Sequence, residues 1–528
     1  MERKLKSRIN SILLVILCVY TLPIISCQNT TEREITSISF PAITVSYPEV
    51  DEYVVQQLEG DGIPGLAVVV VQGEEMVYCK GFGITSVKGD LSVTPQTIFD
   101  LASASKSFTA IGVLLLRDRG LIDLDTSVQQ YLPNFRPDDP LASQITIRHL
   151  LNHTSGIPGA FSAPLIFQQG DDEFMELVAA LGKVKLNREP GLLFEYADIN
   201  YCLLGSLIET VSGITFEEYI KQMIFKPLGM DHTTLYPEEA EIKGKADGHQ
   251  AMYNQIVVNN IPVYRSALPA GWVMSCAEDM GQWLIAHLNN GRTAKGQIFP
   301  ASDIEETHTP TVAFEENSKE MSYGMGWFAS SADDEFIIWH SGDTPNFMAD
   351  MILLPEYATG VAVLINSQAC TIGHDIASGV ANIILELEIK PMGVPWWAHW
   401  KTIDTLATFT LVFTIILVLS LLFYSWYIWR QFRTRKRCFF GSLFADSIPL
   451  WRLSLYITPL VLVLMFIMSG YLIMRTLYGY NLFEVLFLFR LGAPPGVYIS
   501  GVSLLMVIFL WVLALAFLGS FTRATKKI

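Results

Sequence analysis

The hydrophobic positions of the chain first form a strand pattern that starts at Ile63. Four consecutive valines, Val68 to Val71, precede a polar break at Gln72-Gly73-Glu74, and a second run of strand character ends near Gly83. A β-branched run bounded by turn residues is typical of a buried strand. The segment therefore predicts two strands joined by a tight turn.

A helical pattern follows after Phe99. Phe108, Ile111 and Leu114 recur at intervals of three residues, and Gly120 supplies a stop signal. Residues three or four positions apart share one face of a helix, so this spacing predicts an amphipathic helix that begins near residue 103.

Strand patterns return late, at Glu335–Trp339, Phe347–Leu354 and Gly360–Ile365, and a closing helix fits Ile372–Glu386. The stretch 145–235 carries helical patterns broken by glycine and proline. Strands at both ends with helices between them predict an α/β (α+β) fold. We expect an antiparallel sheet flanked by helices, with a mostly helical subdomain, over residues 40–390.

Three apolar runs lie nearer the C-terminus, at about 406–428, 453–474 and 497–519. Each is long enough for a hydrocarbon core of about 30 Å, which takes about 20 helical residues. The pattern predicts a three-helix transmembrane region over 405–528. Residues 391–404 form a tryptophan-containing juxtamembrane linker.

The first 27 residues join a basic segment, MERKLKSRIN, to an apolar stretch of signal-peptide type. An uncleaved anchor is the alternative. The end of the stretch, Ile24–Cys27, resembles a bacterial lipoprotein cleavage box, in which case Cys27 would carry a lipid. Arginine and lysine clusters at 430–437 and 523–527 favour a cytoplasmic position. These signals predict a multi-pass protein of the bacterial cell membrane with an extracytoplasmic catalytic domain.

The net charge of −16 disfavours a nucleic-acid partner, because an acidic surface repels phosphates. Four of the seven cysteines, Cys79, Cys202, Cys276 and Cys370, fall in the predicted globular domain. Their spacing indicates neither a zinc ribbon nor a disulfide framework, although a single disulfide stays open. No dinucleotide or nucleotide fingerprint is present, so no cofactor is expected.

Ser103 and Lys106 form a Ser-x-x-Lys motif at the start of the predicted helix. Positions i and i+3 lie on one helix face, which places the lysine amine beside the serine hydroxyl. A serine hydroxyl needs a neighbouring base to become a nucleophile. The helix N-terminus favours a depressed lysine pKa and an oxyanion site. Taken alone, the motif is more simply explained by an N-capping serine and a solvated lysine.

Other catalytic patterns were weighed against this one. No G-x-S-x-G elbow is present, which argues against the α/β-hydrolase type. His149 and His153 are spaced as in some zinc sites, but H-E-x-x-H is absent and no carboxylate partner is evident. Packing or capping is the simpler interpretation, so no metal site is expected.

Several segments, in order, resemble one known family. They are FDLASASKSFTA (99–110), ITIRHLLNHTSGIPG (145–159), PGLLFEYADINYCLLG (190–205), FKPLGMDHT (225–233), PAGWVMSCAEDMGQW (269–283), YGMGW (323–327) and WHSGDTPNF (339–347). The set is similar to serine β-lactamases and penicillin-binding proteins, specifically class C β-lactamases, DD-peptidases and related esterases. The resemblance covers about residues 50–387.

The resemblance implies a role for each matching residue. Ser103 would attack the substrate carbonyl, Lys106 would help to remove its proton, and Tyr196 would relay that proton to the leaving group. His340 would take the place of the lysine of the third motif, in His-Ser-Gly. The backbone N–H groups of Ser103 and Asp343 would form the oxyanion hole.

Four positions depart from the family pattern. Asp198 stands where asparagine is usual in the second motif, and an ionised carboxylate accepts hydrogen bonds without donating. Asp343 directly follows Gly342 of the third motif, where a small residue is frequent. Asn346 and Trp272 occupy positions at which many relatives have glycine. The change at Asp198 raises doubt about penicillin as the natural substrate, and those at Asn346 and Trp272 predict an altered rim of the pocket.

The sequence thus predicts a serine hydrolase that forms an acyl-serine intermediate on a β-lactam, a D-alanyl peptide or an ester. Its partner would be a small-molecule or peptide substrate, for which the cell wall is one candidate source. The competing hypothesis is a non-catalytic penicillin-binding receptor or sensor. Fold and motif do not choose between these substrates.

Overall fold

The structure is a computed structural model that describes residues 47–159, 173–316, 319–332, 335–368, 373–388, 399–434, 437–439, 495–519 and 521–523. The predicted signal peptide, with Cys27, and the second predicted span lie outside the described residues. Most of the predicted linker lies outside them as well.

The strands are, in chain order, β1 (Gly65–Gln72), β2 (Glu75–Gly83), β3 (Phe99–Asp100), β4 (His249–Met252), β5 (Gln255–Val258), β6 (Met274–Ser275), β7 (Arg292–Thr293), β8 (Gly296–Gln297), β9 (Val312–Glu316), β10 (Lys319–Tyr323), β11 (Phe328–Ala332), β12 (Glu335–Asp343), β13 (Met348–Leu354), β14 (Thr359–Ile365), β15 (Arg437–Phe439) and β16 (Phe521–Arg523). One sheet has eight antiparallel strands in the order β2-β1-β14-β13-β12-β11-β10-β9. Because β1 pairs with β14, the two ends of the domain meet in the sheet, as the sequence predicted.

Strand β1 lies inside this sheet and is buried on both faces. Ala67, Val69 and Val71 point into a large hydrophobic core on one side. Val68 and Val70 point into a smaller core on the other. Side chains alternate between faces along a strand, so an unbroken valine run is what a doubly covered strand requires.

The α-helices are, in chain order, α1 (Pro48–Asp61), α2 (Lys106–Asp118), α3 (Val128–Tyr131), α4 (Ile147–Leu151), α5 (Glu173–Ala180), α6 (Asp198–Ser212), α7 (Phe216–Ile220), α8 (Lys226–Leu228), α9 (Pro237–Ile242), α10 (Leu268–Gly271), α11 (Ala277–Leu288), α12 (Ala301–His308), α13 (Gly373–Ile384), α14 (Trp400–Arg433) and α15 (Pro495–Gly519). Helices α1 and α13 cover the smaller core. Helices α2, α6 and α11 contribute to the larger core, which joins the helical subdomain to the sheet. The predicted α/β architecture, an antiparallel sheet with flanking helices, is confirmed.

Helix α2 is central to the larger core. Ten of its residues are buried, and Phe108 stacks on Trp283 of α11 with ring centroids 4.0 Å apart. Fully burying a side chain of this kind stabilises the fold by roughly 1.5–3 kcal/mol. The helix that carries the Ser-x-x-Lys motif is therefore a rigid support.

The described residues support one membrane-crossing helix rather than three. Within α14, the segment Trp400–Gln431 is long and apolar enough to cross a bilayer. In its most apolar stretch of 18 residues, 11% of the residues are buried. A bent helix pair, Asp198–Ser212 with Phe216–Leu228, passes the same test. Its apolar residues, however, belong to the large core. The third predicted run forms α15. Within α15, the apolar helix Gly496–Ile508 is shorter than the 18 residues required of a candidate membrane span.

The β4–β5 hairpin touches the ends of α14 and α15. Its turn residues Tyr253 and Asn254 both have positive φ, as a two-residue hairpin turn requires. The Asn254 N–H donates to the carboxylate of Asp404. The Ser500 hydroxyl donates to the Tyr253 hydroxyl at 3.1 Å. The hairpin therefore links the helices to the sheet domain.

Candidate active site

Ser103 lies in a turn of 3-10 helix, Ala102–Ser105, that leads directly into α2. Ala102 has a φ of +46°, a left-handed conformation that costs roughly 1–2 kcal/mol for a residue with a Cβ atom. The preceding Leu101 N–H donates to the Val273 carbonyl at 2.9 Å, which fixes the entry to the turn. Strain held by surrounding structure in this way is common at reactive side chains.

Lys106 lies beneath Ser103 and is fully buried. Its Nζ atom is 3.2 Å from the Ser103 hydroxyl, 2.6 Å from Asp198 Oδ1 and 2.7 Å from the Ala270 carbonyl oxygen. An ammonium group has three N–H donors, and these three acceptors use all of them. The structure thus brings Asp198 into contact with Lys106, where the sequence placed it in substrate recognition.

The depressed lysine pKa expected from the sequence is wrong. Burial acts to lower the pKa of Lys106, but the Asp198 carboxylate and the Tyr196 phenol outweigh burial and raise it above the ordinary value. An anion at 2.6 Å favours the ammonium form far more than a helix N-terminus opposes it. Lys106 is therefore a cation at neutral pH.

Tyr196 completes a cluster with the serine and the lysine. It lines the same cleft as Ser103. The Lys106 ammonium lies 4.8 Å from the centre of its ring. Burial raises the pKa of Tyr196, and Asp198 adds to that effect, while Lys106 and Ser103 oppose it. Tyr196 is thus a neutral phenol at neutral pH.

His153 positions this tyrosine from below. It is fully buried, and its ring lies 4.4 Å from that of Tyr196, centroid to centroid. The Ala197 N–H donates to His153 Nδ1 at 3.2 Å, so the proton of the neutral ring sits on Nε2. Burial, then Lys106 and His340, hold the pKa of His153 well below its usual value. His153 therefore fixes the backbone that carries Tyr196 without adding charge.

His340 lies on β12 and faces the same cluster. Its Nδ1 is 2.7 Å from the Ser341 carbonyl oxygen, which only accepts, so Nδ1 is the donor. Its Nε2 is 3.3 Å from the Tyr323 hydroxyl. The ring centroids of His340 and Tyr196 are 6.5 Å apart. The structure therefore places His340 beside Tyr196 but gives its direct polar contact to Tyr323.

Gly342 runs alongside the nucleophile turn. A Cβ atom added at Gly342 would lie 2.3 Å from the Leu101 carbonyl oxygen and 2.7 Å from the Ser103 nitrogen. Only glycine therefore lets β12 approach the turn this closely. The approach brings the Asp343 end of β12 to the same cleft as Ser103, as the oxyanion-hole expectation requires.

A cleft of about 550 Å³ opens above Ser103. Its described lining residues are Ser103, Phe194, Glu195, Tyr196, Phe314, Glu315, Phe328, Trp339, His340, Ser341 and Asp343. Asn346 and Trp272 are buried and do not appear among these residues. Of the four positions that depart from the family pattern, Asp343 lines this cleft, and its side chain is exposed.

Within the described ranges, one group of metal-ligand type stands apart from the cleft: His232, Cys276 and Asp279, whose ligand atoms lie within 4.8 Å of one another. Asp279 Oδ2 already accepts from the His232 and Thr233 N–H groups. The carboxylate thus supports the loop between α8 and α9. Cys79, Cys202 and Cys276 are free thiols, and Cys370 lies outside the described residues.

Sequence reasoning missed three residues of this site. His153 was interpreted as packing or capping, because nothing in its segment shows which side chain it contacts. Tyr323 sits in the YGMGW segment, and that match in type gave no role to the tyrosine. The left-handed φ of Ala102 has no sequence signal, since alanine does not favour it.

The Beta-lactamase family model matches residues 50–371, and the chain belongs to this family. Its members are generally serine hydrolases, which agrees with a serine beside a lysine and a tyrosine.

Named relatives support the same placement. Protein flp of Staphylococcus aureus (strain MW2) is 28% identical over 322 residues, 61% of this chain and 63% of that protein. The putative penicillin-binding protein PbpX of Bacillus subtilis (strain 168) is 30% identical over 269 residues, 51% of this chain and 63% of that protein. The match thus spans less than two thirds of either relative. An octameric penicillin-binding protein homologue from Pyrococcus abyssi is 28% identical, covering 65% of this chain and 78% of its own, with a TM-score of 0.57.

Proposed function

We propose that this chain is a membrane-anchored, extracytoplasmic serine hydrolase that forms an acyl-serine intermediate on an ester or an amide. The observation that carries the proposal is the Ser103 hydroxyl, 3.2 Å from the Lys106 amine, in an open cleft that Tyr196 also lines. Covalent catalysis needs such an arrangement of a nucleophile and proton-transfer groups.

The raised pKa values of Lys106 and Tyr196 favour a relay over a free base. Ser103 attacks the carbonyl carbon while its proton passes to the Tyr196 oxygen. The phenol proton passes to the leaving atom as the bond between that atom and the carbonyl carbon breaks. Lys106 remains an ammonium and stabilises the charge that develops on the serine oxygen. Water reverses the sequence in deacylation.

The remaining residues have supporting roles in this proposal. The N–H groups of Ser103 and Asp343 bind the developing oxyanion, and Gly342 permits their approach. Asp198 keeps Lys106 charged rather than recognising substrate. His340 orients the network through Tyr323. No step requires a metal or an organic cofactor.

Membrane anchoring rests on α14 and on the apolar runs of the sequence. We include in the proposal a signal peptide at 1–27, a catalytic domain at 40–390, a linker at 391–404 and three spans within 405–528. The loop charges then place the catalytic domain outside the cytoplasm of a bacterial cell.

The test is labelling of the full-length protein in detergent by a fluorescent fluorophosphonate and, separately, by a fluorescent penicillin. We expect fluorophosphonate to label the wild type but not Ser103→Ala. Ser302→Ala, which removes an exposed serine outside the cleft, is the matched control and should be labelled like the wild type. A folded wild-type protein that neither reagent labels would contradict the proposal and favour the receptor hypothesis.

A further inference from the structure

The cleft above Ser103 has an aromatic wall built from two stacked pairs. Phe194 and Phe314 stack with centroids 4.2 Å apart and planes 10° from parallel. Phe328 and Trp339 stack at 4.5 Å and 15°. The two pairs are joined edge to face, since Phe314 and Phe328 lie 6.2 Å apart. The wall is therefore one continuous apolar surface that begins next to the nucleophile.

The wall is built by the outer part of the sheet. Phe328 of β11 lies directly opposite Trp339 of β12 in the strand register, and Trp339 immediately precedes His340. Phe314 comes from the edge strand β9. All four side chains are half-buried and line the cleft, so an apolar group bound there would pack against aromatic carbon instead of water.

The charges of the cleft are acidic. Among its described lining residues there are three carboxylates, Glu195, Glu315 and Asp343, and neither lysine nor arginine.

The nearby cations are already engaged by carboxylates. Arg188 pairs with Glu195 at 3.3 Å. Lys106 pairs with Asp198 at 2.6 Å and is fully buried. Neither is therefore positioned to receive a carboxylate of the substrate, and the exposed Glu315 and Asp343 would repel one.

We propose that the site, given the hydrolase function above, takes acyl donors with an aromatic or similarly bulky apolar acyl group and no carboxylate near the scissile bond. The apolar group packs on the aromatic wall, and a neutral or cationic group faces Glu315 and Asp343. β-Lactams and D-alanyl peptides carry a carboxylate close to the attacked carbonyl, so they are poor substrates for this cleft. The substrate class is a neutral or cationic arylalkyl ester or amide.

The first experiment compares three p-nitrophenyl esters of 3-phenylpropanoic acid with the full-length protein in detergent. At the carbon next to the attacked carbonyl, they carry a carboxylate, a methyl group or an aminomethyl group. We expect kcat/KM for the methyl-substituted p-nitrophenyl ester to exceed that for the carboxylate-substituted one at least about tenfold. The aminomethyl-substituted ester should match or exceed the methyl-substituted one. Because the surface charges are screened by salt, the discrimination should shrink as ionic strength rises.

Charge-neutral variants assign the discrimination to the cleft. Glu315→Gln should reduce several-fold the ratio of kcat/KM for the methyl-substituted ester to kcat/KM for the carboxylate-substituted ester. Adding Asp343→Asn should reduce this ratio further. Glu356→Gln, an exposed glutamate in the turn between β13 and β14, is the matched control and should leave the ratio unchanged. The ratio is the readout because a general loss of activity does not move it.

The contribution of the aromatic wall to acyl-group preference is tested by a separate variant. Phe314→Ala should reduce the advantage of phenylpropanoyl over acetyl esters by about tenfold, since one face of the acyl group loses its partner. Leu91→Ala, at a side chain 76% exposed elsewhere on the domain, should not change it.

Equal or faster turnover of the carboxylate ester in the wild type overturns this inference. Fluorophosphonate labelling at Ser103 in the same preparation would then leave the hydrolase function standing. Loss of that labelling in a folded protein overturns both.

Discussion

The smallest departure from the family pattern, an aspartate in place of an asparagine, has the largest electrostatic consequence. Asp198 Oδ1 lies 2.6 Å from Lys106 Nζ, and the lysine is buried. The carboxylate therefore decides whether Lys106 donates to Ser103 or withdraws a proton from it. A single side chain thus selects between two modes of serine activation.

This choice is tested by Asp198→Asn. Without the carboxylate, burial dominates and the pKa of Lys106 should fall below the ordinary value of about 10.4. Since the proposed relay needs the ammonium, the rate of Ser103 labelling should then decline at a lower pH than in the wild type. The measurement is the pH profile of the fluorophosphonate labelling rate between pH 6 and 11.

Asp90→Asn, at an exposed carboxylate far from the cleft, serves as the matched control. A rise in the labelling rate of Asp198→Asn at neutral pH would show instead that the free amine of Lys106 is the base. In that case the relay through Tyr196 is wrong, although Ser103 remains the nucleophile.

At the residue scale, the sequence placed Ser103, Lys106 and Tyr196 correctly in one cluster. Spacing brings residues i and i+3 together on a helix, and the family segments located the tyrosine. It did not predict the contact of Asp198 with Lys106, because spacing does not show which way a side chain turns at the start of α6. It missed His153, whose contact with Tyr196 depends on the packing of two separate loops.

At the scale of elements, helices α11 and α12 meet through a buried pair of histidines. His287 Nδ1 and His308 Nε2 are 2.9 Å apart, and both rings pack against Trp327. Burial lowers the pKa of His308 to about 3, and burial together with His308 holds that of His287 well below its usual value. The fold therefore holds both rings neutral beside the helix that carries Ser103.

The pair predicts a loss of stability in acid. An unfolded histidine binds a proton below about pH 6.5, whereas the folded His308 does so only near pH 3, so the free energy of unfolding falls as pH decreases between these values. A pH of 5 lies about 1.5 units below the histidine pKa in the unfolded chain. The free energy of unfolding is therefore lower by ~2 kcal/mol at pH 5 because of this histidine. We expect the temperature at which half of the Ser103 labelling is lost to be lower at pH 5 than at pH 7. This decrease should be smaller in His308→Gln than in the wild type.

A control of opposite sign is available in His232. Its pKa is raised by the neighbouring Asp279, so protonation stabilises the folded state there. His232→Gln should therefore leave the acid sensitivity unchanged or increase it. Equal slopes for His308→Gln and the wild type would show that the histidine pair does not control the acid response.

Element prediction succeeded where the two faces of the sheet are both covered. The valine run of β1 and the apolar strands β13 and β14 gave strong patterns. The outer strands β9 and β10 were missed, because they are short, carry charged residues and turn apolar side chains such as Phe314 to an open cleft rather than to a core. The strands that shape the cleft thus gave the weakest sequence signal.

At the scale of the whole molecule, the β4–β5 hairpin joins the apolar helices to the catalytic cleft. At its tip, Tyr253 and Asn254 bond to Ser500 and Asp404. At its base, the His249 N–H donates to the Asn346 carbonyl oxygen at 3.1 Å. Asn346 lies three residues after Asp343, so a short chain of backbone contacts leads from the helix ends to the proposed oxyanion hole.

Two glycines of α15 provide a matched test of this junction. A Cβ atom added at Gly496 would lie 2.8 Å from Asp404 Oδ1 and 3.3 Å from the Tyr253 nitrogen, whereas one added at Gly501 would meet nothing within 4 Å. Gly496→Leu should therefore separate the hairpin from the helices, and Gly501→Leu should not. Both changes add the same side chain to the same helix, so a difference between them reports the junction rather than helix propensity.

The measurement is cross-linking by a short bis-maleimide between cysteines introduced at Asn254 and Thr405, whose side chains are hydrogen-bonded at 3.1 Å. The single-cysteine variants give the background from native thiols. We expect efficient cross-linking in the parent and in Gly501→Leu, and a low yield in Gly496→Leu, with slower Ser103 labelling in the latter because the base of the hairpin is released. Equal yields for the two leucine variants would mean that the hairpin does not dock on α14 and α15 as described.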